Sequence, residues 1–120
     1  MRTTILATAY GAARALFGVA VLAMPGRITR SWVGTDDAPA LVMARCLGGR
    51  DLVVGAGTAL AVARERDPVP WLVGGVVADV IDGAATLAAG DRIPRRGRVQ
   101  TLVLVGAGAL VGGWLVRAVD

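Results

Sequence analysis

Four apolar runs, each long enough to cross a lipid bilayer, constrain this 120-residue chain more than any other feature. A helix rises about 1.5 Å per residue, so about 20 residues cross a hydrocarbon core of about 30 Å. The mean hydropathy of +0.62 and the 17 glycines are typical of closely packed membrane helices. The runs predict one integral membrane domain over residues 1–120, with spans at residues 3–24, 40–63, 69–89 and 99–116.

Short connections join these spans, and no segment alternates polar and apolar residues with the period of a strand. They predict an all-α, up-down bundle of four transmembrane helices. The loops after the first and third spans carry six arginines, against four on the side of the termini. Counting basic residues favours cytoplasmic loops and external termini for a multi-pass protein of the cell membrane, with dual topology left open.

The first run has a second interpretation, a cleaved signal peptide, because Arg2 precedes the apolar residues and small residues end the run. Arg14 lies where a signal peptide needs an unbroken apolar region. We therefore favour a retained helix.

Ionisable residues inside the runs point to a site, because a charge at the bilayer centre costs about 2.5–3.5 kcal/mol unless it is paired. The first three runs contain six of them: Arg14, Arg45, Arg50, Asp51, Asp79 and Asp82. Most lie near the middle of their spans, and three arginines against three aspartates sum to zero. We expect them to form one buried cluster that is balanced in charge.

The residues three and four positions from these charges are small, and small residues mark the faces on which membrane helices approach one another. Gly48 and Gly55 flank Asp51, and Gly75 precedes Asp79. The fourth span contributes an uncharged pair, Gly108 and Gly112. This pair suits the face of a homodimer, and packing within the chain explains it equally well.

Antiparallel spans predict specific partners within the cluster. Arg50 or Arg14 is expected to face Asp79, and Arg45 is expected to face Asp82, since both lie toward the predicted cytoplasmic side. Asp51 is expected to share an arginine. Such pairs also occur with a purely structural role, fixing which helix neighbours which.

The residue types limit the chemistry that such a cluster can perform. Without histidine, acid–base work falls to the aspartates, and Asp79 and Asp82 are spaced to share a proton. One hypothesis is a site that binds or transports a proton or a small polar or anionic solute. A second is a cofactor-free membrane enzyme in which aspartate moves a proton and arginine stabilises charge, on a small polar or lipophilic substrate. A third is a structural subunit.

Several partners are not expected. The arginines are scattered rather than collected in a basic stripe with aromatics, so nucleic acid is not a predicted partner. One cysteine and no histidine argue against zinc, and adjacent arginines disfavour a cation held by the aspartates. We expect neither a metal nor a cofactor, and the lipid bilayer is the predicted surrounding.

The pattern Arg45-x-x-Gly48-Gly49-Arg50-Asp51-Leu52-x-x-Gly55, followed by Ala78-Asp79 in the next span, resembles the small four-helix bacterial membrane proteins loosely grouped as DoxX-like. The likeness covers the second and third spans, and the other two share only the architecture. It implies four membrane helices and offers no activity to carry over.

Overall fold

The computed structural model describes residues 1–119, which fold into five α-helices and one short 3-10 turn. No strand occurs among these residues. The helices are α1 (Arg2–Ala23), α2 (Pro25–Trp32), α3 (Ala38–Ala63), α4 (Val69–Ala89) and α5 (Arg95–Ala118), with the turn at Gly90–Arg92. The predicted all-α class is confirmed.

Four of the helices, α1, α3, α4 and α5, are long and apolar enough to cross a membrane. Short connections join them in sequence, so each runs antiparallel to the one before it in a bundle of 43 × 25 × 18 Å. The first three of these helices agree with the predicted spans to within two residues at each end. The fourth begins at Arg95, four residues earlier than predicted, because residues 95–98, three of which are arginines, form its first turn rather than a loop.

The connection between the first and second predicted spans is not only a loop, because it contains the short helix α2. Pro25 ends α1 and begins α2, since a proline has no N–H to continue a helix yet fits its first turn. Thr29 is fully buried, Ile28 and Trp32 are partly buried, and Arg27 is exposed. The helix is therefore amphipathic and lies across one end of the bundle, where it contacts α3 and α5.

The side chain of Asp37 caps the start of α3. Its Oδ1 accepts a hydrogen bond from the backbone N–H of Ala40 at 3.0 Å. This bond satisfies one of the donors that every helix start leaves free, and it fixes where α3 begins.

Helices α1 and α3 pack with their backbones in contact through glycines on both sides. A methyl group added at Gly18 would lie 2.5 Å from the carbonyl oxygen of Gly48 and from the backbone nitrogen of Leu52. One added at Gly55 would overlap the carbonyl oxygen of Gly11 and the backbone nitrogen of Ala15. This closeness holds the charged side chains of the two helices within reach of each other.

The second close pair is α4 with α5, and here Gly108 and Gly112 lie inside the bundle. A methyl group at Gly112 would lie 2.8 Å from Oη of Tyr10 and 2.9 Å from a methyl of Val76. The chain's own α1 and α4 contact this face, which favours the alternative that these glycines serve packing within the chain, and a homodimer stays a prediction.

Helices α1 and α5, by contrast, contact each other only slightly. The structure thus consists of two close pairs, α1 with α3 and α4 with α5, which leave a gap along one side. The candidate site lies behind this gap.

Candidate functional site

Arg14 is the centre of the site and bridges three helices. From α1 it donates Nη1 to Oδ2 of Asp79 at 3.0 Å and Nη2 to Oδ1 of Asp79 at 2.9 Å, so the α4 carboxylate is held by both nitrogens. Nη2 also donates to Oδ1 of Asp51 on α3 at 3.1 Å. All three side chains are at most 10% exposed. A guanidinium can serve two carboxylates in this way because its donors form a rigid planar fork.

A second arginine repeats this arrangement toward α2. Arg50 on α3 donates Nη1 to Oδ1 of Asp82 at 2.9 Å and Nη2 to Oδ2 of Asp82 at 2.6 Å. Its Nη2 also lies 3.3 Å from Oδ1 of Asp51, the next residue in the chain. Asp79 and Asp82 therefore pair with different arginines. Because each carboxylate is bound by both terminal nitrogens of its own arginine, the two are not placed to share a proton, as the sequence had suggested.

Asp51 differs from the other two aspartates because neither arginine holds both of its oxygens. Its Oδ1 accepts from Arg14 and from Arg50, while no hydrogen bond reaches its Oδ2 from any described residue. The residue is only 5% exposed. Asp51 is thus the third carboxylate in a cluster that contains two guanidinium groups.

The expected pair of Arg45 with Asp82 is not formed. The side chain of Arg45 is exposed on α3, and no ion pair joins it to any residue between 1 and 119. Arg45 is five residues before Arg50, or about 140° around the helix, so it faces away from α4. Without it the cluster has two positive and three negative side chains and a formal charge of −1, where the sequence predicted zero.

Sequence reasoning missed Tyr10, which completes the site on the side toward the termini. Its hydroxyl donates to the carbonyl oxygen of Gly108 at 2.9 Å and lies 3.4 Å from Nη1 of Arg14. Tyr10 precedes Arg14 by four residues and so shares its face of α1, which is the signal that would have found it. A methyl group at Gly108 would lie 2.5 Å from Oδ2 of Asp79, so this glycine makes room for the carboxylate.

A cavity of about 520 Å³ opens onto the cluster. Its inner end contains Tyr10, Arg14 and the three aspartates, and α2 closes its outer end with Arg27, Ser31 and Trp32. Between these ends the walls are apolar, formed by residues of α1 and α5 such as Phe17 and Leu104. The site is therefore a largely apolar cavity with charged side chains at its inner end, which is the usual form of a small-molecule site.

Arg14, Asp51, Asp79 and Asp82 lie in the lining of this cavity, while Arg50 supports Asp51 and Asp82 from outside it. Gly48 and Gly55 lie at the contact of α1 with α3, and Gly75 faces the guanidinium of Arg14, 3.3 Å from where a methyl group would be. Among the described residues, no group of three His, Cys, Asp or Glu side chains is arranged to hold a metal ion.

No family model, no curated protein and no solved structure matches this chain. The resemblance to DoxX-like proteins therefore stays a prediction, and any functional argument depends on the geometry of the site itself.

Proposed function

We propose that this chain is a multi-pass protein of the cell membrane that binds a proton and a small polar solute at the Arg/Asp cluster. The observation that supports this most is the third carboxylate. Arg14 and Arg50 neutralise Asp79 and Asp82 through paired hydrogen bonds, so no third guanidinium group in the cluster matches the negative charge of Asp51.

The unmatched charge of Asp51 lies at the depth of the bilayer centre, where an unpaired charge is least favourable. Asp51 is at the midpoint of α3, and Asp79 is at the midpoint of α4. An unmatched charge there costs about 2.5–3.5 kcal/mol even on the lenient insertion scale. A proton taken up on Asp51 removes that cost, and Asp51 is one of the residues that line the cavity.

An anionic solute is less well suited to the site. All four terminal nitrogens of the two guanidinium groups already donate to carboxylates. An incoming anion would have to displace an aspartate that is held in place by its own helix. The same occupancy weakens the enzyme hypothesis, since it leaves Nε as the only nitrogen of Arg14 that does not already donate to a carboxylate.

A structural role is the second candidate, and one observation favours it. Arg14 joins α1, α3 and α4, so the cluster also determines which helices are neighbours. A purely structural role requires matched charges, so it gives no reason for the third carboxylate. If the role is structural, removal of the Asp51 carboxylate should leave every measured activity unchanged.

Infrared difference spectroscopy of the protein in nanodiscs tests proton binding. A change of pH should produce a band of a protonated carboxylic acid that shifts in D₂O, and Asp51→Asn should remove it. Asp91→Asn is the matched control, because Asp91 is fully exposed outside the spans. A difference spectrum of Asp51→Asn that equals that of wild type, or no band at any pH, would refute the proposal that Asp51 binds the proton.

Flux measurements then separate binding from transport. Proteoliposomes that enclose a pH-sensitive dye should acidify under an imposed gradient when they contain wild-type protein, and Asp51→Asn should abolish this. If the infrared band is present and no flux is seen with wild type, the protein binds a proton without transporting it.

A further inference from the structure

We infer that the cavity binds a lipophilic cation that enters from the hydrocarbon layer between α1 and α5. This inference depends on the proposed function, because it uses the same surplus carboxylate, Asp51. It adds the chemical class of the ligand and the route by which the ligand arrives.

The route follows from the depth of the opening. The gap between α1 and α5 is bordered by Ala13, by Phe17, which is 41% exposed, and by Leu104, which is 59% exposed. Ala13 and Leu104 lie within about 4 Å of the midpoints of their helices along the axis. In a bilayer the gap therefore faces acyl chains rather than water, and a ligand that partitions into lipid reaches it directly.

The charge of the inner end selects a cation. A positive group beside Oδ2 of Asp51 would find a carboxylate without a matched guanidinium, in surroundings where charge interactions are stronger than in water. An anion would meet a net charge of −1, and a neutral molecule would leave that charge in place. Arg27 is the only other charged residue in the lining, and it is exposed at the outer end, on α2.

Aromatic residues reinforce this selection. Tyr10, Phe17 and Trp32 line the cavity, which is three of the five aromatic residues of the chain. The faces of such rings attract cations, and the attraction is worth about 2 kcal/mol or more once the cation has lost its water. The apolar remainder of the walls suits the body of an amphiphilic molecule.

Two N–H groups of the lining residues, Nε of Arg14 and Nε1 of Trp32, have no hydrogen-bond partner among residues 1–119. An acceptor on the ligand, such as a hydroxyl or carbonyl oxygen, would satisfy either of them. These donors add affinity for a polar substituent, whereas the surplus charge determines the class, since a buried unpaired charge costs more than an unpaired N–H.

The test compares two ions of the same shape and opposite charge, tetraphenylphosphonium and tetraphenylborate. Each is titrated into wild-type protein in nanodiscs of zwitterionic lipid, with the signal of empty nanodiscs subtracted. Wild type should bind the cation with an affinity at least about tenfold above that for the anion. Asp51→Asn should lower the affinity for the cation by at least about tenfold, because the cluster is then neutral.

Two variants of α5 test the route. Leu104→Trp should fill the opening and weaken binding of the cation, while Leu110→Trp should leave binding unchanged, since Leu110 is exposed to lipid and does not line the cavity. Equal binding of the two ions, or binding of the cation that Asp51→Asn leaves intact, would overturn the inference.

The outcomes also distinguish this inference from the proposed function. If wild type binds neither ion but shows the carboxylic acid band that depends on Asp51, the lipophilic cation is wrong and proton binding stands. If the cation binds and depends on Asp51 while no protonation band is found, the cation site stands and the proton site does not. Release of a proton when the cation binds supports both.

Discussion

Arg14 on α1 and Asp79 on α4 form a bidentate ion pair with N–O distances of 3.0 and 2.9 Å. The backbones of these two helices hardly approach each other. The pair therefore joins the α1–α3 half of the bundle to the α4–α5 half. On the side of this pair toward α2, the helices α1 and α5 separate, and the space between them forms the cavity. The Arg14–Asp79 ion pair thus both connects the two halves of the bundle and forms part of the inner end of the cavity.

Loss of the Asp79 charge should destabilise the bundle. Asp79→Asn removes the charge that both terminal nitrogens of Arg14 hold and leaves Asp51 as the ion-pair partner of Arg14. A buried N–H of Arg14 then loses its acceptor, which costs about 1–3 kcal/mol. We expect a lower free energy of unfolding in mixed micelles of increasing sodium dodecyl sulfate content, followed by tryptophan fluorescence.

Asp51→Asn is the matched comparison for this variant, since it removes the same charge from the same cluster. It leaves both paired interactions in place and removes the surplus charge, so stability should be unchanged or higher. A loss equal to that of Asp79→Asn would show that Asp51 is needed to balance the arginines, contrary to the charge count given above.

The two arginines of α3 should differ sharply in their contribution. Arg50→Gln removes both bonds to Asp82 and leaves two unmatched carboxylates, so the melting temperature in detergent should fall. Arg45→Gln removes a charge that is exposed and should change the melting temperature little. Equal effects of the two substitutions would indicate that Arg45 also pairs with an aspartate of the cluster.

The contact of α1 with α3 should tolerate no added methyl group at its centre. Gly55→Ala places a methyl against the backbone of α1, and overpacking of this kind costs about 1–3 kcal/mol. Gly49→Ala is the control on the same helix, because nothing lies within 4 Å of its added methyl. The measurement is the free energy of unfolding, and a similar loss for both would mean that α3 disfavours alanine for a reason other than contact with α1.

Gly108 should matter for the charge pair rather than for the helix itself. Gly108→Ala would place a methyl 2.5 Å from Oδ2 of Asp79 and so move this carboxylate off Nη1 of Arg14. The variant should lose about 1–3 kcal/mol of stability. Gly113→Ala, with nothing within 4 Å, is the control on α5 and should lose little. If Gly108→Ala costs as much in the background of Asp79→Ala, where the side chain it would meet is gone, the loss does not arise through the carboxylate.

The sequence alone was sufficient for the architecture, because the length of a membrane span and the cost of an exposed backbone in lipid leave few alternatives. It also indicated that Arg14, Asp51 and Asp79 lie at one depth, since depth follows from position along a straight helix. It failed at α2, whose eight residues are too short for their periodicity to stand out from a loop.

Only the tertiary structure decided which charges meet. Partners depend on the rotation of each helix about its axis and on how closely two helices approach, and both are set by contacts far apart in the chain, such as Gly18 against Gly48. That rotation turns Arg45 outward and Arg50 toward Asp82. The sequence predicted a neutral cluster, and the packing of the helices left Asp51 as a carboxylate without a matching charge.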